Sequence, residues 1–174
     1  NKLNALRPLM SEQGYMHRRV QVELAWFIAL SDAGFDEFKP LSAGARRYLT
    51  GLVGQFSEQD ALAIKEIEKT TNHDVKAVEY YIKARLEGLG LADRSEFVHF
   101  GLTSQDVNNT AIPLSMAEAT ADVLLPALQA AREDLAALAE QWSAVPMLAR
   151  THGQPATPTT LGKELAVFVF RLQR

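Results

Sequence analysis

Apolar positions recur along this chain with helical spacing, and almost nothing alternates with period two. From Ser11 to Ala33 the apolar side is drawn by Val20, Leu24, Phe27 and Ala29-Leu30, with Arg18, Arg19 and Glu23 mostly away from it and Gly34 as the stop. A second helix is predicted from Gly44 to Phe56. Ser57 and Asp60 have the spacing of a helix-starting cap and open a third, carrying Leu62, Ile64 and Ile67. Thr71 and Asp74 repeat that spacing before a fourth, Val75 to Leu89, which ends at Gly88 and Gly90.

The longest pattern is more specific. Leu114, Ala117, Ala121, Leu124, Leu128, Ala131, Leu135, Leu138 and Trp142 alternate spacings of three and four over four heptads. Helices packed side by side in a long bundle show this seam. At about 1.5 Å per residue the helix would be ~40 Å long, with a kink at Pro126. Beyond a polar stretch the pattern resumes with Leu161, Leu165, Phe168 and Leu172, while Val167 and Phe170 place apolar surface on other sides. This last helix should run antiparallel to the long one and meet several neighbours, so self-association is expected. The predicted fold is all-α: an N-terminal helical domain over residues 1–100, then the first part of a long helical bundle over 101–174.

The 174 residues suffice for one sizeable core, and 47% apolar with 22% charged residues is ordinary for a soluble globular chain. A net charge of −3 argues against a general nucleic-acid surface, and the absence of cysteine excludes disulfides and thiolate metal sites. No uncharged apolar run is read as reaching transmembrane length, and no secretory signal opens the chain. A soluble, cytoplasmic protein is expected. The chain starts at Asn1 rather than methionine and reaches Arg174 without a glycine cap or a following proline, the pattern of a helix that continues.

Three polar clusters stand at predicted helix mouths. The first is Thr70-Thr71-Asn72-His73-Asp74, where a cap accounts for Thr71 and Asp74 but not for Asn72 and His73. A helix N-terminus disfavours an imidazolium, so His73 should be neutral there. The second runs from Gly101 to Thr110: Thr103 and Asp106 fit a capping box, while Ser104, Gln105, Asn108 and Asn109 add neutral hydrogen-bonding groups suited to an anion. The third, Leu148 to Pro158, is expected to be a rigid polar loop holding Arg150, Thr151, His152 and Gln154 between two apolar helices. His17 reads as a surface residue and His99 as a packed structural one, which leaves His152 as the candidate for proton transfer. No HExxH, histidine pair or GxSxG turn accompanies it, so neither a metal nor a serine triad is expected.

Together these clusters resemble the fumarase/aspartase superfamily, closest to the longer bacterial type of its adenylosuccinate-cleaving branch. The resemblance rests on 65–80 (Lys-Glu-Ile-Glu-Lys-Thr-Thr-Asn-His-Asp-Val-Lys-Ala-Val-Glu-Tyr), on Glu96 to Phe100 running into Thr103 to Asn109, and on Ser143 to Pro158 followed by Gly162-Lys163-Glu164. It implies β-elimination of fumarate from adenylosuccinate, giving AMP, and from the succinylated carboxamide ribotide of purine biosynthesis. It also implies a homotetramer whose active sites draw segments from three subunits, with no cofactor. His152 and His73 become the catalytic residues, His152 as the acid and His73 orienting the nucleotide side of the substrate. Thr103 and Ser104 would bind the succinyl carboxylates, and Asn72, Asp74, Gln105, Thr151 and Gln154 would line or brace the substrate pocket. The family's Gly-Ser-Ser…Met-Pro…Lys…Asn-Pro loop, which bears the catalytic serine, does not occur in this sequence. The Arg-Tyr pair that would help bind phosphate should lie just upstream of Asn1. The chain is therefore expected to be the N-terminal part of a lyase, inactive alone, with the acid but without the base. Two other readings stay open: a lyase releasing fumarate from another substrate, and a non-catalytic helical self-association domain.

Overall fold

A computed structural model describes residues 3–174. The polypeptide divides into two compact units, Asn1–Ala119 and Thr120–Arg174.

The first unit is built from α1 (Arg7–Met10), α2 (Glu12–Asp32), α3 (Ala43–Gly54), α4 (Glu58–Thr71), α5 (Asp74–Glu87), a 3₁₀ turn (Ala92–Phe97) and α6 (Ser104–Ala119). Helix α2 is the central element, with α3, α4, α5 and α6 packed on it. Its Val20, Leu24, Phe27 and Leu30 are buried with Leu49 of α3, Ile64 of α4, and Val78 and Ile82 of α5. Phe38 fills the space beside them, 4.8 Å from Phe27 and 4.3 Å from Phe97 between ring centres. Caps fix where helices begin. The Ser11 hydroxyl accepts from Gly14 N (3.1 Å), and Ser57 and Asp60 form the expected reciprocal box, with Ser57 N donating to Asp60 Oδ2 at 2.9 Å. Losing one such cap costs about 1 kcal/mol.

Several expectations for this unit need correction. Ala29 is exposed, whereas Arg18, Arg19 and Glu23 are buried. Each has a distant partner that makes burial tolerable: Arg18 pairs with Glu118, Arg19 with Asp74, and Glu23 with His99 at 2.5 Å. His17 is half-buried, stacked on Phe56 with its Nε2 2.8 Å from Val53 O; burial pulls its pKa down. Residue 100 does not separate two packing units. Helix α6 buries Val107, Ala111, Ser115 and Ala119 and packs on α2, so the division falls after Ala119.

The second unit comprises a π turn (Thr120–Leu124), α7 (Leu125–Gln141), the strands β1 (Pro146–Thr151) and β2 (Gln154–Thr160), and α8 (Leu161–Leu172). Helical structure is unbroken over the 38 residues Ser104–Gln141. Where a kink at Pro126 was expected, a π turn stands directly ahead of α7. Pro126 cannot donate to the preceding turn, and the wider π turn leaves room for its ring. By length and composition this stretch could cross a membrane, contrary to expectation. A helix packed inside a soluble bundle meets the same test.

Helices α7 and α8 pack together as expected, and their contact depends on one glycine. A Cβ on Gly162 would overlap the Ala139 carbonyl oxygen and lie 2.7 Å from Ser143 Cα. The Gly162 amide donates to Trp142 O at 3.0 Å, which fixes the start of α8 against the end of α7. Little else is enclosed. Gly162 is the only buried residue among 120–174, and Leu124, Leu128, Phe168 and Phe170 are 51, 44, 52 and 68% exposed.

The polar stretch is not a loop but an antiparallel β-hairpin, so the otherwise helical fold carries one small sheet. Pro146 pairs with Thr160 and Leu148 with Pro158; after an irregularity at Leu148/Arg150, Arg150 pairs with Pro155 and Thr151 with Gln154. Proline is tolerated because each strand of a two-stranded ribbon has a free edge. The prolines and the glycine that argued against a helix are here parts of strands and a turn.

Candidate functional site

Helix α4 ends at Thr71, and the chain reverses through Asn72, whose φ of 49° is left-handed. Asparagine is one of the few residues other than glycine that adopt this conformation readily. His73 then caps α5, its Nδ1 accepting from Lys76 N at 3.2 Å. The cap is therefore His73 rather than the expected Thr71. The Thr71 hydroxyl instead spans the turn, donating to His73 O at 3.1 Å, while Asp74 Oδ1 accepts from Val75 N at 2.9 Å.

This capping bond fixes the imidazole tautomer. A backbone N–H can only donate, so Nδ1 presents a lone pair and the proton of the neutral ring sits on Nε2. Nε2 faces the start of α6, 3.5 Å from Ser104 Oγ. Two clusters thirty-one residues apart in sequence thus meet in space. What converges is an imidazole N–H, a hydroxyl and the positive end of a 16-residue helix, all suited to an anionic oxygen.

Not every expected ligand is free. Thr103 donates both its backbone N–H and its hydroxyl to Asp106 Oδ2, each at 2.7 Å. Only part of the expected capping box forms, and the Thr103 proton is engaged within it. These bonds hold the Asp106 carboxyl below the usual range. Gln105 spans one helical turn to Asn109 Oδ1 at 2.7 Å.

Beneath these groups lies a network around the buried Arg19 that sequence reasoning missed. Arg19 Nη2 donates to Asp74 Oδ2 at 2.6 Å and Nε to Asn108 Oδ1 at 3.0 Å. Its guanidinium lies 4.0 Å from the centre of the Tyr15 ring, and the Tyr15 hydroxyl also donates to Asn108 Oδ1, at 2.7 Å. Partial burial pushes the Asp74 carboxyl up, but the Arg19 hydrogen bond and charge, with Val75 N and His73, bring it below the usual range. The only sequence signal was the i,i+4 spacing of Tyr15 and Arg19, which places ring and guanidinium on one helix face.

The third cluster belongs to the second unit. His152 and Gly153 form the two-residue tip of the hairpin, with φ of 50° and 76°. Left-handed backbone at both positions is the signature of a type I′ turn. Thr151 and Gln154 are the paired residues flanking the tip, and His152 is exposed on it. A side chain at the apex of a tight turn is presented outward on a short, defined backbone. Among the described residues, no three His, Cys, Asp or Glu side chains converge as a metal site would need.

The family model described as lyase matches residues 2–174. The chain is 52% identical over 179 residues to the adenylosuccinate lyase of Dictyostelium discoideum, covering 99% of this chain and 38% of that protein. It is 45% identical over 176 residues to the adenylosuccinate lyase of Escherichia coli K12, covering 100% of this chain and 39% of that protein. It thus spans under two-fifths of these relatives. Among solved structures, a fumarate lyase from Mesorhizobium sp. BNC1 superposes with a TM-score of 0.76 at 25% identity, over 98% of this chain and 38% of that one. The 3-carboxy-cis,cis-muconate lactonizing enzyme of Pseudomonas putida, at a TM-score of 0.73, 23% identity and coverage of 99% and 41%, shares the fold.

Proposed function

The chain belongs to the lyase family, and we propose that it contributes binding and acid residues to an enzyme that eliminates fumarate from adenylosuccinate. The products are fumarate and AMP, and the succinylated carboxamide ribotide of purine biosynthesis would react in the same way. The observation that carries this reading is the convergence of His73 Nε2 and Ser104 Oγ at the mouth of α6. The curated relatives, named adenylosuccinate lyases, supply the substrate.

The reaction removes a proton from Cβ of the succinyl group, and those electrons form the fumarate double bond as the C–N bond breaks. The departing purine nitrogen takes a proton. Ser104 and the His73 Nε2–H donate hydrogen bonds to anionic oxygens of the substrate, with Thr103 joining if its hydroxyl leaves Asp106. Asn72 and Gln105 line this site, and Asp74 braces it from below. His152 supplies the proton to the leaving nitrogen, flanked by Thr151 and Gln154. The Cβ base is assigned to no residue of this chain and is expected on another segment of the polypeptide. The exposed apolar side chains of α7 and α8 favour assembly with further copies, as a homotetramer, and a purine-biosynthetic enzyme of this kind belongs in the cytoplasm.

General acid catalysis is typically worth about 10²–10⁴-fold. In the polypeptide carrying every family segment, His152→Gln should lower fumarate release by that factor with an unchanged circular dichroism spectrum. The chain of residues 1–174 alone should release none, and mixing it with the His152→Gln enzyme should restore some activity through subunit exchange. Full activity of His152→Gln would reject the acid assignment.

A further inference from the structure

We propose that Arg19 is a positioning residue that sets the tautomer of His73 by holding the Asp74 carboxylate away from its Nδ1. Two groups compete for that nitrogen. One is the Lys76 backbone N–H, 3.2 Å away, which requires a lone pair on Nδ1. The other is Asp74 Oδ1, 3.7 Å away, which as an acceptor would favour a proton on Nδ1. The outcome is decided one shell deeper. Arg19, 5% exposed, takes Asp74 Oδ2 at 2.6 Å, while Val75 N takes Oδ1 at 2.9 Å. Both carboxylate oxygens thereby have other donors, and Oδ1 stops short of a hydrogen bond to the ring.

Arg19 is itself held by two neighbours that also bond each other. Asn108 Oδ1 accepts from its Nε, the Tyr15 ring lies against its guanidinium, and Tyr15 Oη donates to the same Asn108 oxygen. A planar fork that satisfies Asp74 and Asn108 at once is something arginine provides and lysine does not. Without Arg19, the Asp74 carboxylate is free to turn to His73, where a charge-assisted bond would outcompete the neutral one from Lys76 N. The proton would move to Nδ1, and Nε2 would face Ser104 as an acceptor. The site would then present a lone pair where an anionic substrate oxygen needs a donor. That functional consequence rests on the reading proposed above; the tautomer assignment does not.

The experiment is ¹⁵N NMR of the histidine rings in the chain labelled at histidine, with the His73 signals identified by their loss in His73→Gln. Wild-type His73 should show a protonated Nε2 and an unprotonated Nδ1. In Arg19→Met the Nδ1–H form should rise several-fold, and in Arg19→Lys by less. Arg19→Met combined with Asp74→Ala should return the ring to the wild-type pattern, which loss of packing alone would not do. If Arg19→Met fails to fold, Arg19→Lys carries the test. A wild-type pattern in every foldable Arg19 variant, or Nδ1–H in the wild type, would overturn the proposal. The two readings fail separately. If the ring spectra behave as described while the enzyme with all family segments neither binds fumarate nor cleaves adenylosuccinate, the proposed function falls and the role of Arg19 stands.

Discussion

The two units of this chain solve the burial problem in opposite ways. Every buried apolar side chain lies between Met16 and Ala119, with Phe27, Phe38, Leu49 and Ile64 wholly enclosed. The second unit, past Thr120, encloses only the backbone of Gly162 and leaves leucines and phenylalanines in water. Hydrophobic burial contributes about 25 cal/mol per Å², so the first unit gains from its core a stabilisation that the exposed side chains of the second do not supply. The candidate chemistry is divided accordingly. His73, Asp74 and Ser104 are supported by the buried Arg19, whereas His152 stands at the tip of an exposed two-stranded ladder.

Breaking the first unit should have the largest effect. Phe27→Ala removes a fully buried ring and should cost about 3–5 kcal/mol, read as a lower midpoint in urea denaturation. Gly162→Ala comes next. Its methyl meets backbone rather than a movable side chain, so about 1–3 kcal/mol is expected, visible as faster hydrogen exchange confined to α7 and α8. Exchange rising equally in α2 would mean that the units do not respond separately.

A pH series sharpens the contrast from inside the core. Burial raises the Glu23 pKa above its ordinary value of 4.5, against the pull of the His99 hydrogen bond and charge. A raised carboxyl pKa means that the folded state holds the proton more tightly. The corresponding stability is present below about pH 4.5 and is lost as pH rises through the folded value. Glu23→Gln should flatten that slope in denaturation midpoints measured across this window; an unchanged slope would assign it to another group. The smallest effect belongs to the exposed unit. Phe168→Ala should change the stability of the isolated chain by less than about 0.5 kcal/mol and yet weaken self-association in sedimentation. A loss like that of Phe27→Ala would show that α8 has a core of its own.

The helices were legible because their signals are local. Ser57 with Asp60, the apolar positions of α2 and the seam running into α7 are all written within a few residues of where they act. The buried charges were not legible, since a lone arginine or glutamate in a helix reads as solvated. The partners that reverse this for Arg18, Arg19 and Glu23 lie 100, 55 and 76 residues away. The cap of α5 was assigned to Thr71 rather than His73 because threonine is the commoner cap and an imidazole lone pair a rarer one. The hairpin was missed because proline and threonine replaced the alternating apolar pattern that marks a strand. His152-Gly153 was its one local sign: a two-residue turn needs left-handed backbone twice, and only its second position is glycine.

That turn also constrains how the sequence can drift. A connection of two residues has no slack, so a residue inserted at the tip must either bulge out or slide one strand past the other. A slide of one place turns every side chain of that strand to the opposite face. Across divergent copies of this segment, the distance from Thr151 to Gln154 should therefore stay fixed.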